Sequence, residues 1–120
     1  MDKPIVLVAE DDASVRMTIE FVLQDEGFNV VLAEDGEEAL QLAMKMQPDV
    51  ILLDQMMPKL DGREVLVALR ENEDTRETPV FVLTGMSRTP GDWPGAVFVG
   101  KPFSPDELVD RIRKAISPTT

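Results

Sequence analysis

Five short apolar runs punctuate this chain: Ile5 to Ala9, Val30 to Ala33, Val50 to Leu53, Val80 to Leu83 and Ala96 to Val99. Several hold no polar residue at all, the pattern expected of strands covered on both faces. The segments between them read as helices. Val15, Ile19, Val22 and Leu23 recur at spacings of three and four in the first, and Ala39, Leu40 and Ala43 do so in the second. Gly27 is placed to stop the first helix and Pro48 the second. A third helix is predicted from Gly62 to Arg70, with Val65, Leu66 and Leu69 turned inward. The last helix opens on a capping box, Ser104-Pro105-Asp106-Glu107, with Pro at the first helical position and Leu108, Ile112 and Ile116 as its buried stripe. Alternation of strand and helix predicts an α/β fold with a doubly wound parallel sheet.

One interval breaks the rhythm. Between Leu83 and Ala96, where a fourth crossover helix belongs, residues 84–95 include Pro90 and Pro94 with Gly85, Gly91 and Gly95. That composition leaves no room for a regular helix and predicts a loop with at most one helical turn. Residues 117–120 read as a frayed tail. The length of 120 residues is that of one domain, residues 1–120, and no internal repeat or linker divides it.

Three of the apolar runs end in charge. Glu10-Asp11-Asp12 follows the first, Asp54 follows the third, and Gly100-Lys101-Pro102 follows the fifth. In a parallel sheet the carboxyl ends of the strands share one edge, where ligands bind at the point of strand-order reversal. These residues are therefore expected to meet in one acidic pocket holding one lysine. Taken singly, each has a plainer reading. An acidic triplet before a helix is an N-cap with dipole complementarity, which suffices for Asp12; Thr84 alone is a turn hydroxyl, and Lys101 alone a solvated lysine.

Composition narrows the chemistry. The absence of cysteine and histidine excludes disulfides, thiolate sites, most zinc sites and histidine acid–base catalysis, leaving oxygen ligands for a hard cation. A net charge of −11 argues against nucleic acid and anionic membrane surfaces as partners. No apolar run approaches the roughly 20 residues of a membrane span, and no secretory leader is visible, so a cytoplasmic protein is expected.

The ordered set Val-Leu-Val-Ala-Glu10-Asp11-Asp12, Leu-Leu-Asp54-Gln-Met-Met-Pro58 with Asp61-Gly62, Val-Leu-Thr84-Gly85 and Lys101-Pro102-Phe103 resembles the response-regulator receiver domains of two-component signalling. The likeness spans essentially the whole chain and is closest in kind to single-domain, chemotaxis-type regulators, with a shortened fourth-helix region. It implies a flavodoxin-like five-stranded parallel sheet of order 2-1-3-4-5. It further implies that Asp54 accepts a phosphoryl group from a histidine kinase or a histidine phosphotransfer protein. Mg²⁺, with Mn²⁺ able to replace it, would be held by Asp11, Asp54, the backbone carbonyl of Met56 and, through water, Glu10. Lys101 and Thr84 would bind the phosphoryl oxygens. Such a domain catalyses only its own phosphorylation and dephosphorylation and signals through a downstream protein target.

Family resemblance also assigns a pocket rim to Met56, Gly85 and Met86. A side chain at Gly85 would crowd the donor's path, and two apolar groups at Met56 and Met86 offer nothing to orient an attacking water, so a long-lived phosphoryl group is expected. Thr84 and Phe98 would form the switch, and Phe98, lacking a hydroxyl, would have to act by packing. The start Met1-Asp2-Lys3-Pro4 suggests a stand-alone or N-terminal receiver. Two other readings stand beside this one. A receiver-like docking module would act regardless of phosphorylation, and a haloacid-dehalogenase-type phosphohydrolase would need two aspartates two residues apart after one strand, a pattern that Glu10 and Asp12 fail.

Overall fold

The computed structural model describes residues 3–55, 57, 59–85 and 92–116. Five strands, β1 (Ile5–Ala9), β2 (Asn29–Ala33), β3 (Val50–Asp54), β4 (Val80–Thr84) and β5 (Ala96–Gly100), form one parallel sheet of order β2-β1-β3-β4-β5. Among the described residues four helices cover it: α1 (Ala13–Asp25), α2 (Gly36–Met46), α3 (Gly62–Glu71) and α4 (Pro105–Ile116). The expected architecture is therefore present. Between β4 and β5 the described residues, 85 and 92–95, hold no helix.

Alternation along the strands divides the core in two. Val6, Val8, Val50, Leu52, Phe81, Leu83 and Val99 pack against α1 and α4, while Leu7, Ile51, Leu53, Val80 and Val82 pack against α2 and α3. Because β1, β3 and β4 are covered on both sides, their residues must be apolar at odd and even positions alike, which is why these runs show no alternation of polarity. Burying one such Val, Leu or Ile is worth about 1.5–3 kcal/mol.

The helix ends refine the expectations. Gly27 does follow α1, in the left-handed region at φ 94° that glycine adopts without steric penalty. α2 ends at Met46 with Gln47 at φ 47°, so the chain leaves the helix one residue ahead of Pro48, whose ring disfavours a helical neighbour. The amide of Glu107 donates to Ser104 Oγ at 3.4 Å, and Pro105 is the first residue of α4 as expected. In α4 the fully buried residues are Leu108, Val109 and Ile112, whereas Ile116 is only partly buried. Two caps were unforeseen: Asp35 caps α2 by accepting from the Glu38 amide, and at α3 Asp61 and Glu64 form a reciprocal capping box. The Lys101–Pro102 peptide is cis.

Candidate functional site

Three strands run one residue further than their apolar runs, so Asp54, Thr84 and Gly100 are themselves the last residues of β3, β4 and β5. The ladder then continues past β1, β3 and β5: Glu10 donates its amide to Ala33 O (3.1 Å), Gln55 to Leu83 O (3.0 Å) and Lys101 to Thr84 O (2.7 Å). Glu10, Thr84 and Lys101 are thus each set by a backbone hydrogen bond to a neighbouring strand. Since β1 lies between β2 and β3, Glu10 and Asp54 sit on the two sides of the strand-order reversal, where this class of sheet opens its crevice.

The side chains converge there. Lys101 Nζ lies 3.1 Å from Glu10 Oε1 and 3.3 Å from Asp54 Oδ1. Glu10 is 1 % exposed and Asp54 6 %, so both carboxylates are largely removed from water. Burial lifts the Asp54 carboxyl from 3.8 to about 6, with the adjoining Glu10 carboxylate adding to the rise and Lys101 opposing it. Burial also works against the Lys101 ammonium, but the carboxylates of Asp54 and Glu10 outweigh it and raise its pKa.

Carboxylate oxygens of Glu10, Asp11 and Asp54 lie within 4.8 Å of one another. Two ligands of one octahedral Mg²⁺ stand roughly 3–4 Å apart, given metal–oxygen distances of about 2.0–2.1 Å, so small side-chain movements would close this cluster on the ion. Charge points the same way. When ionised, three carboxylates against one ammonium leave the cluster short of two positive charges, and an all-oxygen donor set suits a hard divalent cation.

Asp12 stands apart from the cluster as the N-cap of α1, its Oδ1 accepting from the amides of Ser14 (2.9 Å) and Val15 (3.1 Å). The Thr84 hydroxyl is hydrogen-bonded to Gln55 Oε1. Gly85 is exposed, and among the described residues a Cβ built there meets nothing within 4 Å. Phe98 is 42 % exposed on β5 and packs edge-on against Trp93, ring centroids 5.5 Å apart. Met56 and Met86 lie outside the described residues.

Two residues near the site escaped sequence reasoning. Arg16 Nη1 donates to the carbonyls of Glu10 (2.8 Å) and Asp11 (3.4 Å), tying α1 to the acidic turn. Its place one helical turn after Asp12 was the available signal. Gln55 carried none, because its relation to Thr84 depends on the register in which β4 pairs with β3. Residues 92–95, ahead of β5, are held to α3 by Arg63, which donates to Asp92 O (2.7 Å), and by Arg70, which donates to Pro94 O (3.0 Å); Arg70 also donates to Thr78 O (2.7 Å), ahead of β4.

Comparison with known proteins bears on this arrangement. The family described as the response regulator receiver domain matches residues 6–113. A probable transcriptional regulator, ycf27, of Porphyridium aerugineum is 42 % identical over 121 residues, covering 97 % of this chain and 49 % of its own length. The chain spans about half the length of the first curated relatives it matches. Among solved structures, the receiver domain of the Francisella response regulator 1452 superposes with a TM-score of 0.88 at 36 % identity, covering 98 % of this chain and 100 % of that one. The receiver domain of the sensor histidine kinase PA1611 from Pseudomonas aeruginosa PAO1, which holds a magnesium ion in its active-site cleft, gives a TM-score of 0.86 at 29 % identity, covering 95 % and 98 %.

Proposed function

Because the chain belongs to the response regulator receiver domain family, we propose that it is a phosphoacceptor of two-component signalling, with Asp54 as the residue modified. A receiver is a signalling domain and not a classical enzyme. The observation that carries the assignment is Lys101 Nζ lying 3.1 Å from Glu10 and 3.3 Å from Asp54, which joins the ends of three strands in one charged pocket. The receiver unit is read as the whole of residues 1–120.

In the transfer, an Asp54 carboxylate oxygen forms the new O–P bond as the N–P bond of a donor phosphohistidine breaks, and the donor imidazole takes up a proton as it leaves. Catalysis of such a step is mostly positioning and charge stabilisation. The backbone bonds that set the strand ends fix Asp54, and Lys101 moves from bridging two carboxylates to donating to the phosphoryl oxygens. Thr84, last residue of β4, donates its hydroxyl to one of the same oxygens. Glu10, Asp11 and Asp54 would hold Mg²⁺, or Mn²⁺ in its place, which when bound supplies the positive charge that lets an anionic phosphoryl group approach three carboxylates.

The donor is a sensor histidine kinase or a histidine phosphotransfer protein. A groove lined by Val15, Thr18, Ile19, Phe103 and Pro105 opens beside Lys101, and Met17 and Phe21 on α1 are 63 % and 72 % exposed. An apolar helical face next to the phosphosite suits docking of a partner helix. The output is a contact with a downstream protein. The net charge of −11 speaks against this domain itself binding nucleic acid. Among the described residues no helix is long and apolar enough to cross a membrane.

Intact-protein mass after incubation with acetyl phosphate, with and without Mg²⁺, tests the reading beside Asp54→Asn and Lys101→Met. A single Mg²⁺-dependent phosphoryl adduct, absent from Asp54→Asn and slowed about 10²–10³-fold in Lys101→Met, is expected. An adduct that survives Asp54→Asn would overturn the assignment. Failure to form an adduct, joined to failure to bind Mg²⁺ or beryllofluoride, would indicate a module that docks independently of phosphorylation.

A further inference from the structure

We propose that Gln55 is a latch on Thr84: its side-chain carbonyl holds the Thr84 hydroxyl in the unmodified protein, and phosphorylation proceeds to its stable end state only by displacing that bond. Gln55 is thus a positioning residue acting through Thr84, and the inference rests on the reading of Asp54 as the phosphoacceptor.

The register brings the two residues together. β3 and β4 pair Asp54 with Leu83, and the next rung sets Gln55 beside Thr84, where the Thr84 Oγ1 donates to Gln55 Oε1. Neither backbone is free to shift. The Gln55 amide donates to Leu83 O (3.0 Å) and its carbonyl accepts from Gly62 N (3.0 Å), while the Thr84 carbonyl accepts from Lys101 N (2.7 Å). Gly62 itself opens α3 where an added Cβ would lie 2.5 Å from Asp54 O, so the start of α3 packs directly on the end of β3. With both main chains pinned, the hydroxyl changes partner by rotation of the Thr84 side chain.

A hydroxyl has one proton to donate. Phosphoryl oxygens at Asp54 are acceptors only, as is Gln55 Oε1, so the Thr84 proton goes to one or the other. The state with Thr84 on Gln55 is therefore stabilised against the state with Thr84 on the phosphoryl group by the net worth of one hydrogen bond, a factor of roughly twofold to tenfold in the equilibrium. A residue without an acceptor at position 55 removes that bias. Modification would then be favoured by the same factor, with no change in any group that touches the phosphorus.

The experiment is calorimetric titration of the Mg²⁺-loaded full chain with beryllofluoride, a phosphoryl mimic. Gln55→Met, of equal chain length and without a carbonyl, is expected to bind the mimic about twofold to tenfold tighter than wild type. Gln55→Leu is the second variant should the first not fold, and Gln55→Glu, which keeps the acceptor, should show no gain. In a Thr84→Val background, Gln55→Met should change the affinity by less than the same substitution does alone, since the latched group is gone. Equal affinity of wild type and both apolar variants, or an undiminished gain in the Thr84→Val background, overturns the latch. Wild type that binds no mimic in the presence of Mg²⁺ instead overturns the phosphoacceptor reading beneath it.

Discussion

Removing the charge of Asp54 should make the protein more stable, and by an amount that depends on pH. In the metal-free protein, burial lifts this carboxyl from 3.8 to about 6. A raised folded-state pKa means that the native state holds the proton more tightly than the unfolded chain does. Its stabilising contribution is fully present below about pH 3.8 and is lost as pH rises to about 6. At 1.36 kcal/mol per pH unit of separation, the loss is about 3 kcal/mol. Asn, equal in shape and uncharged, does not undergo it. Urea unfolding of wild type and Asp54→Asn in a chelator at pH 4, 5, 6 and 7 should therefore show two nearly equal proteins at pH 4. The gap should widen to about 2–3 kcal/mol in favour of the variant above pH 6. A gap that stays constant with pH would refute the reasoning, since it would mean that Asp54 titrates alike in the folded and unfolded states. A gap of opposite sign would mean that the Lys101 ion pair outweighs burial.

The same crowding of carboxylates makes divalent cations stabilising. Mg²⁺ at 100 times its dissociation constant should add about 2.7 kcal/mol to the unfolding free energy, and Asp11→Ala, at an exposed position, should remove most of that gain while leaving metal-free stability nearly unchanged. Gly36→Ala should cost about 3 kcal/mol by urea midpoint, because its Cβ would stand 1.9 Å from Leu60 O, whereas Gly85→Ala, meeting nothing within 4 Å among the described residues, should stay within about 0.5 kcal/mol. Trp93 packs with the α2 and α3 side of the core and edge-on to Phe98, and its emission should change when Mg²⁺ and beryllofluoride are added. Unchanged emission in protein that demonstrably binds the mimic would show that residues 92–95 do not sense the site.

Much of this molecule was legible because its signals are local. Apolar runs at Ile5, Val50 and Val80 are strands covered on both faces, and the helical spacing of Ile19 with Leu23 and of Val65 with Leu69 needs no partner to be seen. Gly27 and Pro105 mark helix ends through backbone preferences that each residue carries with it. Even the meeting of Glu10, Asp54 and Lys101 follows from chain direction, since parallel strands must end on one edge.

What the tertiary structure decided is the burial and the side-chain pairing that depend on the register of strands distant in sequence. Gln55 is a surface amide until β4 is placed beside β3 in a register that sets it against Thr84. The rise of the Asp54 pKa comes first from burial and then from Glu10, at a strand end that composition cannot place in depth. Arg63 and Arg70 donate to the carbonyls of Asp92 and Pro94, partners that no local pattern on α3 announces. Periodicity and caps are properties of a few consecutive residues and survive in the sequence. Register, burial and the pairing of groups across strands arise only when the sheet closes, because that is when desolvation and hydrogen-bond partners are assigned.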